Sequence, residues 1–302
     1  MMNMDKILWI LTGGTFSCSD TKKGLTPAAG KAAAEKIRSA EDLNCDISCL
    51  MNIDSSDISP DDIENIARSV HNAYLNGYQG IVITHGTDTL AYTAAYLDFM
   101  LENIDIPVVI TGSQRPYSDR TGDASANLQL AFEICSREFR GVFVAFGGKV
   151  FKGSTVYKAH STAPEAFCGE AAAFVGKNGE LFYTEKAVTV NGKYRYNTVT
   201  RSNIGIISIS PFTTSADIAR FRGYDGLVIA AYGLGGVPHR LHDDIKGLCD
   251  SGTDVMIVSQ CREGGVSPDV YEVGESLKST GAVFGGKMTV SGAAAYLAVS
   301  RA

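Results

Sequence analysis

Hydroxyl and carboxylate side chains recur where apolar runs of this 302-residue chain give way to small polar knots. Thr12 ends the run 6–12 and Thr15 follows it, Asp54 and Ser55 follow 46–53, and Thr87 and Asp88 follow 80–84. Taken singly, each reads as a helix or turn cap, worth roughly 1 kcal/mol. Together at one edge of one parallel sheet, they make a pocket rich in Thr, Ser and Asp. Such a pocket suits a small zwitterion: hydroxyls and N–H groups take a carboxylate, and a carboxylate takes an ammonium. A threonine hydroxyl is a poor nucleophile until a base stands beside it. A desolvated lysine or a tyrosine supplies one. Lys158, in Ser154-Thr155-Val156-Tyr157-Lys158-Ala159-His160, follows a β segment and is the candidate amine. A solvated surface lysine stays open as the alternative.

The element that must position these groups is the stretch Gly80-Ile81-Val82-Ile83-Thr84-His85-Gly86-Thr87-Asp88-Thr89-Leu90. It reads as a buried strand turning at Gly86 into a helix over 89–103, which leaves Thr87 and Asp88 at the strand's carboxyl end. Open α/β sheets bind ligands there, beside the free N–H groups of a helix N-terminus. Capping of that helix by Asp88 or Thr89 is the competing reading.

Around this centre the pattern predicts strands at 6–12, 46–53, 107–111 and 142–146, and helices at 31–40, from Ser59, and at about 123–137. Ser59-Pro60-Asp61-Asp62 supplies an N-cap, a proline at N1 and an acid at N3. Strand–helix alternation at this pitch implies right-handed βαβ units and a mostly parallel sheet. Residues 17–30, rich in Ser, Asp, Lys and Gly, read as an exposed, mobile lid-type loop. Residues 150–157 and 182–194 read as hairpin material, with Val190-Asn191-Gly192-Lys193 as the turn. Polar texture at 196–203 predicts a linker between an N-terminal α/β catalytic domain, 1–195, and a smaller C-terminal α/β domain, 204–302. In the latter, strands are expected at 204–209, 226–231 and 254–259, with helices at 217–221 and 241–249.

A chain of this length suggests two cores at ~150 residues per domain. The net charge of −6 argues against a nucleic-acid partner. The absence of an apolar run of ~18 residues argues against a membrane span. The start of the chain reads as a strand, not a signal peptide. Seven scattered cysteines fit reduced, mostly buried thiols in a cytoplasm. Residues 148–154 have P-loop glycine spacing, but Ser154 stands where lysine is required. No GxGxxG follows a strand, and no GxSxG or HExxH occurs. His239 and His242 form only a bare HxxH, so neither a metal nor a cofactor is expected, and the histidines are expected at the surface.

Thr12-Gly13-Gly14-Thr15, Asp54-Ser55-Ser56-Asp57, His85-Gly86-Thr87-Asp88-Thr89, Thr111-Gly112-Ser113-Gln114 and Thr155-Val156-Tyr157-Lys158 together resemble the ordered signature of the bacterial-type L-asparaginases. The Asp-Ser-Ser-Asp block is similar to the type I, cytoplasmic branch. The resemblance implies Thr15 as the nucleophile on the side-chain amide of L-asparagine, with L-aspartate and ammonia as products. It implies a second relay in which Lys158 takes the proton of Thr87, while Asp88 holds the substrate ammonium and orients Lys158. Ser55, with Ser56 beside it, would bind the α-carboxylate; Ser113 would lie near the amide; Gly14, Asp54 and Gly86 would complete the substrate pocket. A homodimer or homotetramer is implied, and weak glutaminase activity is expected, since one methylene changes pocket fit by only ~1–3 kcal/mol.

Two positions depart from the pattern. Many relatives carry a catalytic tyrosine in the lid after the glycine matching Gly24, where this chain has Leu25. Tyr271, in a C-terminal segment that reaches the site in the family, is the candidate substitute phenol. Gly236 stands where relatives often have asparagine, which blurs the choice between asparagine and glutamine. Two rivals remain. One is the amidase subunit of a tRNA-dependent amidotransferase, which normally carries an extra N-terminal domain, whereas this chain begins at its first strand. The other is a non-catalytic amino-acid sensor.

Overall fold

The computed structural model describes residues 6–14, 16, 18–21, 24–27, 30–201, 203–267 and 276–299. It divides into two units, Met1–Tyr196 and Asn197–Ala302.

In the first unit, β1 (Ile7–Gly13) leads to a short hairpin of β2 (Cys18–Thr21) and β3 (Gly24–Pro27), then α1 (Lys31–Ala40) and β4 (Asp46–Ile53). Next come α2 (Pro60–Leu75), β5 (Gly80–Thr84), α3 (Leu90–Met100), β6 (Leu101–Glu102), β7 (Pro107–Thr111), α4 (Ala124–Cys135) and β8 (Gly141–Phe146). The unit closes with β9 (Lys149–Lys152), β10 (Tyr157–Lys158), β11 (Phe167–Cys168), β12 (Ala171–Val175), β13 (Leu181–Tyr183) and β14 (Arg195–Tyr196). The main sheet has the order β13-β12-β9-β8-β7-β5-β1-β4. Its β8-β7-β5-β1-β4 half is parallel, and the β9, β12 and β13 edge is antiparallel. Every residue of β5 is buried, as a strand covered on both faces requires. Trp9, Phe16, Leu128, Phe132 and Phe143 fill one of its cores. Helix α2 starts where Ser59 and Asp62 form a reciprocal capping box, and it buries Ile63, Ile66, Ala67, Val70 and Ala73, one helical stripe.

In the second unit, β15 (Ile204–Ser208), α5 (Ser215–Ala219), β16 (Gly226–Ala231), α6 (His242–Asp250), β17 (Asp254–Ser259), β18 (Val283–Phe284) and α7 (Val290–Ala298) follow. The four strands form a parallel sheet in sequence order. One of its cores gathers Ile218, Ile229, Ile245 and Ile257, and another gathers Val228, Met256, Ala293 and Leu297.

Several expectations need correction. The 17–30 segment is not wholly a loop: Cys18–Thr21 and Gly24–Pro27 pair antiparallel, because backbone pairing proceeds despite polar composition. Residues 190–193 do not turn a hairpin; β13 pairs with β12 through the turn at 176–180. Helix α3 stops at Met100, since Asn103 takes a left-handed φ of 57° and Leu101–Glu102 pair with Arg195–Tyr196. The cysteines are less buried than expected: of the described ones, Cys45 and Cys135 are buried while Cys49 and Cys261 are exposed. No helix among the described residues is long and apolar enough to cross a membrane.

Candidate active site

The carboxyl ends of β1, β4, β5 and β7 lie side by side, and their first residues beyond the ladder interlock. Gly14, with φ +81°, lies against Gly86: a Cβ built on it would sit 2.4 Å from the Gly86 Cα. A Cβ on Gly86 would in turn meet the Ser55 Oγ at 2.5 Å. No other residue type permits this approach, so the glycines press three strand ends into one edge.

Threonines behind that edge tie the strands together. Thr12, only 3% exposed, donates its hydroxyl to the Thr84 carbonyl at 2.9 Å. The Trp9 indole N–H donates to Thr84 Oγ1 at 3.2 Å, and the Thr111 hydroxyl to the Ala145 carbonyl at 2.8 Å. Thr12 is therefore a structural tie and not a pocket hydroxyl, correcting its place in the expected cluster.

Beyond the edge, the Lys158 Nζ lies 2.8 Å from Thr87 Oγ1 and 2.7 Å from Asp88 Oδ1. These atoms belong to residues 70 and 71 positions apart. The Lys158 side chain is 17% exposed, so it is not a solvated surface lysine; that of Asp88 is 64% exposed. An ion pair with so open a partner contributes little stability. Its effect is to aim the amine at a hydroxyl.

Ser55 is buried and latches two loops. Its Oγ accepts the Asp88 N–H at 3.2 Å, and its carbonyl accepts the Thr89 hydroxyl at 2.7 Å. The Ser55 oxygen acts there as an acceptor, and its hydroxyl donates to no group among the described residues, so its proton can serve a ligand. Thr89 occupies the N-cap of α3 without a side-chain capping bond, so the capping explanation for this motif does not hold. Asp54 accepts the Ser56 N–H and hydroxyl, both at 2.9 Å, and caps the turn at Ser55–Asp57. The buried Ser113 donates to the Arg115 carbonyl at 2.5 Å. Thr15 and Tyr271 lie outside the described residues. At Gly236 a Cβ meets only ordinary contacts, so the glycine there is not a steric requirement.

Three features of the surroundings escaped sequence reasoning. His85 is buried, not at the surface as expected, and so is His242. The Nδ1 of His85 faces the Gly86 carbonyl at 2.7 Å, which places the proton there and leaves Nε2 to accept the Thr93 hydroxyl at 3.0 Å. The signal was present in Thr93, eight residues on and one face of α3 away. Second, Glu41 accepts from the Tyr117 phenol at 2.5 Å, Ser125 at 2.7 Å and Gln129 at 2.7 Å. Burial and then Glu41 push the Tyr117 phenol up to about 12, so this phenol is held as a donor. Its backbone N–H bonds the Phe16 carbonyl at 3.3 Å and its ring rests on Phe16, next in sequence to Thr15. Third, Asp98 is a lone acid in the otherwise uncharged α3.

Burial lowers the His85 imidazole from 6.5 to about 4. The unfolded chain therefore binds a proton that the folded chain refuses between these values, so stability falls as pH drops through that window. The full effect is about 3 kcal/mol. The stability advantage of wild type over His85→Gln is expected to shrink from pH 7 to pH 5 in urea unfolding; a constant difference contradicts this assignment.

Among the described residues no group of three or more His, Cys, Asp or Glu side chains is placed to hold a metal. What the edge offers is a hydroxyl–amine–carboxylate relay beside backbone N–H groups, the equipment of acyl transfer with a hydroxyl nucleophile.

Fold and site thus define a two-unit α/β protein whose chemistry-bearing groups gather at the carboxyl edge of the parallel half of its main sheet. Residues 6–189 match the family model "Asparaginase, N-terminal" and residues 203–301 match "Glutaminase/Asparaginase C-terminal domain". The chain belongs to the asparaginase family. It is 34% identical to the L-asparaginase of Thermococcus kodakarensis, across 94% of this chain and 89% of that protein. It is 30% identical to L-asparaginase 1 of Escherichia coli, across 96% and 89%. A glutamyl-tRNA(Gln) amidotransferase subunit of T. kodakarensis is 32% identical across 90% of this chain, but only 66% of that protein is covered. Among solved structures, the thermostable L-asparaginase of T. kodakarensis superposes with a TM-score of 0.87 at 32% identity, covering 97% of this chain and 92% of that one. L-asparaginase I of Vibrio cholerae superposes with a TM-score of 0.85 at 27% identity, with the same coverage.

Proposed function

We propose that this protein hydrolyses L-asparagine to L-aspartate and ammonia through a threonine acyl-enzyme. The observation that carries the reading is the approach of the Lys158 amine to both the Thr87 hydroxyl and the Asp88 carboxylate. Thr15 Oγ attacks the side-chain amide carbon; backbone N–H groups at the strand-to-helix turn stabilise the oxyanion. The C–N bond then breaks as the proton given up by the Thr15 hydroxyl passes to the nitrogen, which leaves as ammonia. The Thr87–Lys158 relay removes a proton from the water that cleaves the aspartyl ester, freeing Thr15. With a substrate ammonium on Asp88, that carboxylate is shared between the ligand and the Lys158 amine. Ser55, whose hydroxyl donates to no group among the described residues, suits the α-carboxylate.

The reading includes a homodimer or homotetramer, a cytoplasmic setting and slow hydrolysis of glutamine. Ammonia release by the purified protein from L-asparagine, D-asparagine and L-glutamine tests it. Turnover of L-asparagine well above L-glutamine is expected; binding of asparagine without ammonia release points to a sensor instead. The amidotransferase alternative is supported by the 32% identity to the T. kodakarensis amidotransferase component, against 34% to the L-asparaginase of the same organism.

Leu25 leaves the lid without a phenol, and Tyr117 is engaged by Glu41. Tyr271 is the proposed replacement. Tyr271→Phe is expected to lower kcat by about ten-fold or more, the lower range of a positioned proton relay; an unchanged rate removes Tyr271 from the mechanism.

A further inference from the structure

Helix α3 begins immediately after Thr87-Asp88-Thr89, and its one charged side chain is Asp98, two turns further on. Burial raises the pKa of this carboxyl, while Lys152 and hydrogen bonds from Ser154 pull it down. A half-buried carboxylate is costly unless its oxygens are satisfied. Here Asp98 Oδ2 accepts the Ser154 N–H at 3.1 Å. Next to this bond the Gly153 backbone is pressed on α3: a Cβ there would lie 2.8 Å from the Ala94 carbonyl oxygen. The chain then passes through the fully buried Val156 to Lys158, whose short strand pairs with Phe167–Cys168. One helix thus presents the Thr87-Asp88 pair at its start and grips the lysine-bearing segment two turns later.

We propose that Asp98 is a positioning residue, which ties the Gly153–Thr155 turn to α3 and so sets the reach of the Lys158 amine to the Thr87 hydroxyl. The inference rests on the hydrolase reading for its consequence in turnover, but not for the anchor itself. The Ser154 N–H is turned on Asp98 beside the tight Gly153 contact, so the site asks for an acceptor at this position. Asparagine keeps one acceptor oxygen and adds an amide donor, and alanine removes both acceptors. A small displacement of a reacting group costs up to about 100-fold.

Asp98→Ala is therefore expected to lower kcat about 10- to 100-fold with KM within about three-fold, and Asp98→Asn to fall between it and wild type. Gly153→Ala, which pushes the same turn away from the Ala94 carbonyl, should reproduce the phenotype independently. The activity-free readout is the acetylation rate of Lys158 relative to the exposed Lys177, followed by mass spectrometry on the folded full-length protein. It should rise several-fold in Asp98→Ala and in Gly153→Ala as the amine leaves Thr87 and Asp88. A folded Asp98→Ala protein with wild-type kcat and an unchanged Lys158 rate overturns the proposal. So does a loss of kcat that only follows the loss of folded protein, with Lys158 still protected. If wild type releases no ammonia, the hydrolase reading fails, and the labelling arm still decides whether Asp98 holds Lys158.

Discussion

Lys158→Met is expected to lower kcat for L-asparagine by about 10³-fold, the mid-range for loss of a positioned acid–base group. That corresponds to about 4 kcal/mol of transition-state stabilisation. Methionine keeps most of the length and the apolar stem, so packing changes little and the loss isolates the amine. Global stability should hardly move, because Asp88 is mostly exposed and hydrates once its partner is gone. KM should change far less than kcat, since the ammonium-binding carboxylate remains. Steady-state kinetics with a urea titration of the same sample checks both parts. A variant within ten-fold of wild type means the lysine is a structural strut, whatever its distance from Thr87.

Thr15→Ala should cost more, about 10⁴-fold or greater, because removing a nucleophile leaves only the binding and oxyanion contributions. The informative comparison is with Thr87→Val. If Thr15 is acylated and Thr87 serves the water step, acid-quenched Thr87→Val should carry an aspartyl adduct on Thr15, and Thr15→Ala should carry none. An adduct on Thr87 would reverse the two roles. Thr15→Ser should retain a large share of turnover, since the attacking oxygen survives.

Much of the fold was legible in local pattern. The limits of β4, β7, β16 and β17 follow from apolar runs bounded by turn residues, and the start of α2 from Ser59, Pro60 and Asp62. Misreadings arose where distant partners decide. Residues 190–193 have the composition of a hairpin turn, but the partner of β13 is β12, and that choice depends on which edge of the sheet is free. Helix α3 ends early because Leu101–Glu102 find a strand partner at Arg195–Tyr196, almost a hundred residues away.

The candidate site divides along the same line. Thr87, Asp88 and Ser55 stand at strand ends that alternation and turn chemistry mark out, and their residue types alone suggest a pocket for a zwitterion. By itself the sequence determined the parallel α/β frame, the strand ends that bear hydroxyls and acids, and through five ordered blocks the family likeness. Only the tertiary structure decided that the hydroxyl of Thr12 is a buried tie, that His85 is a buried neutral imidazole, and that Lys158 reaches Thr87 instead of solvent. The reason is physical: hydrogen-bond patterns within a segment are set by neighbours a few residues apart, whereas the environment of a side chain is set by whatever the folded chain brings against it. An amine and a hydroxyl separated by 71 positions acquire their chemistry only from that packing.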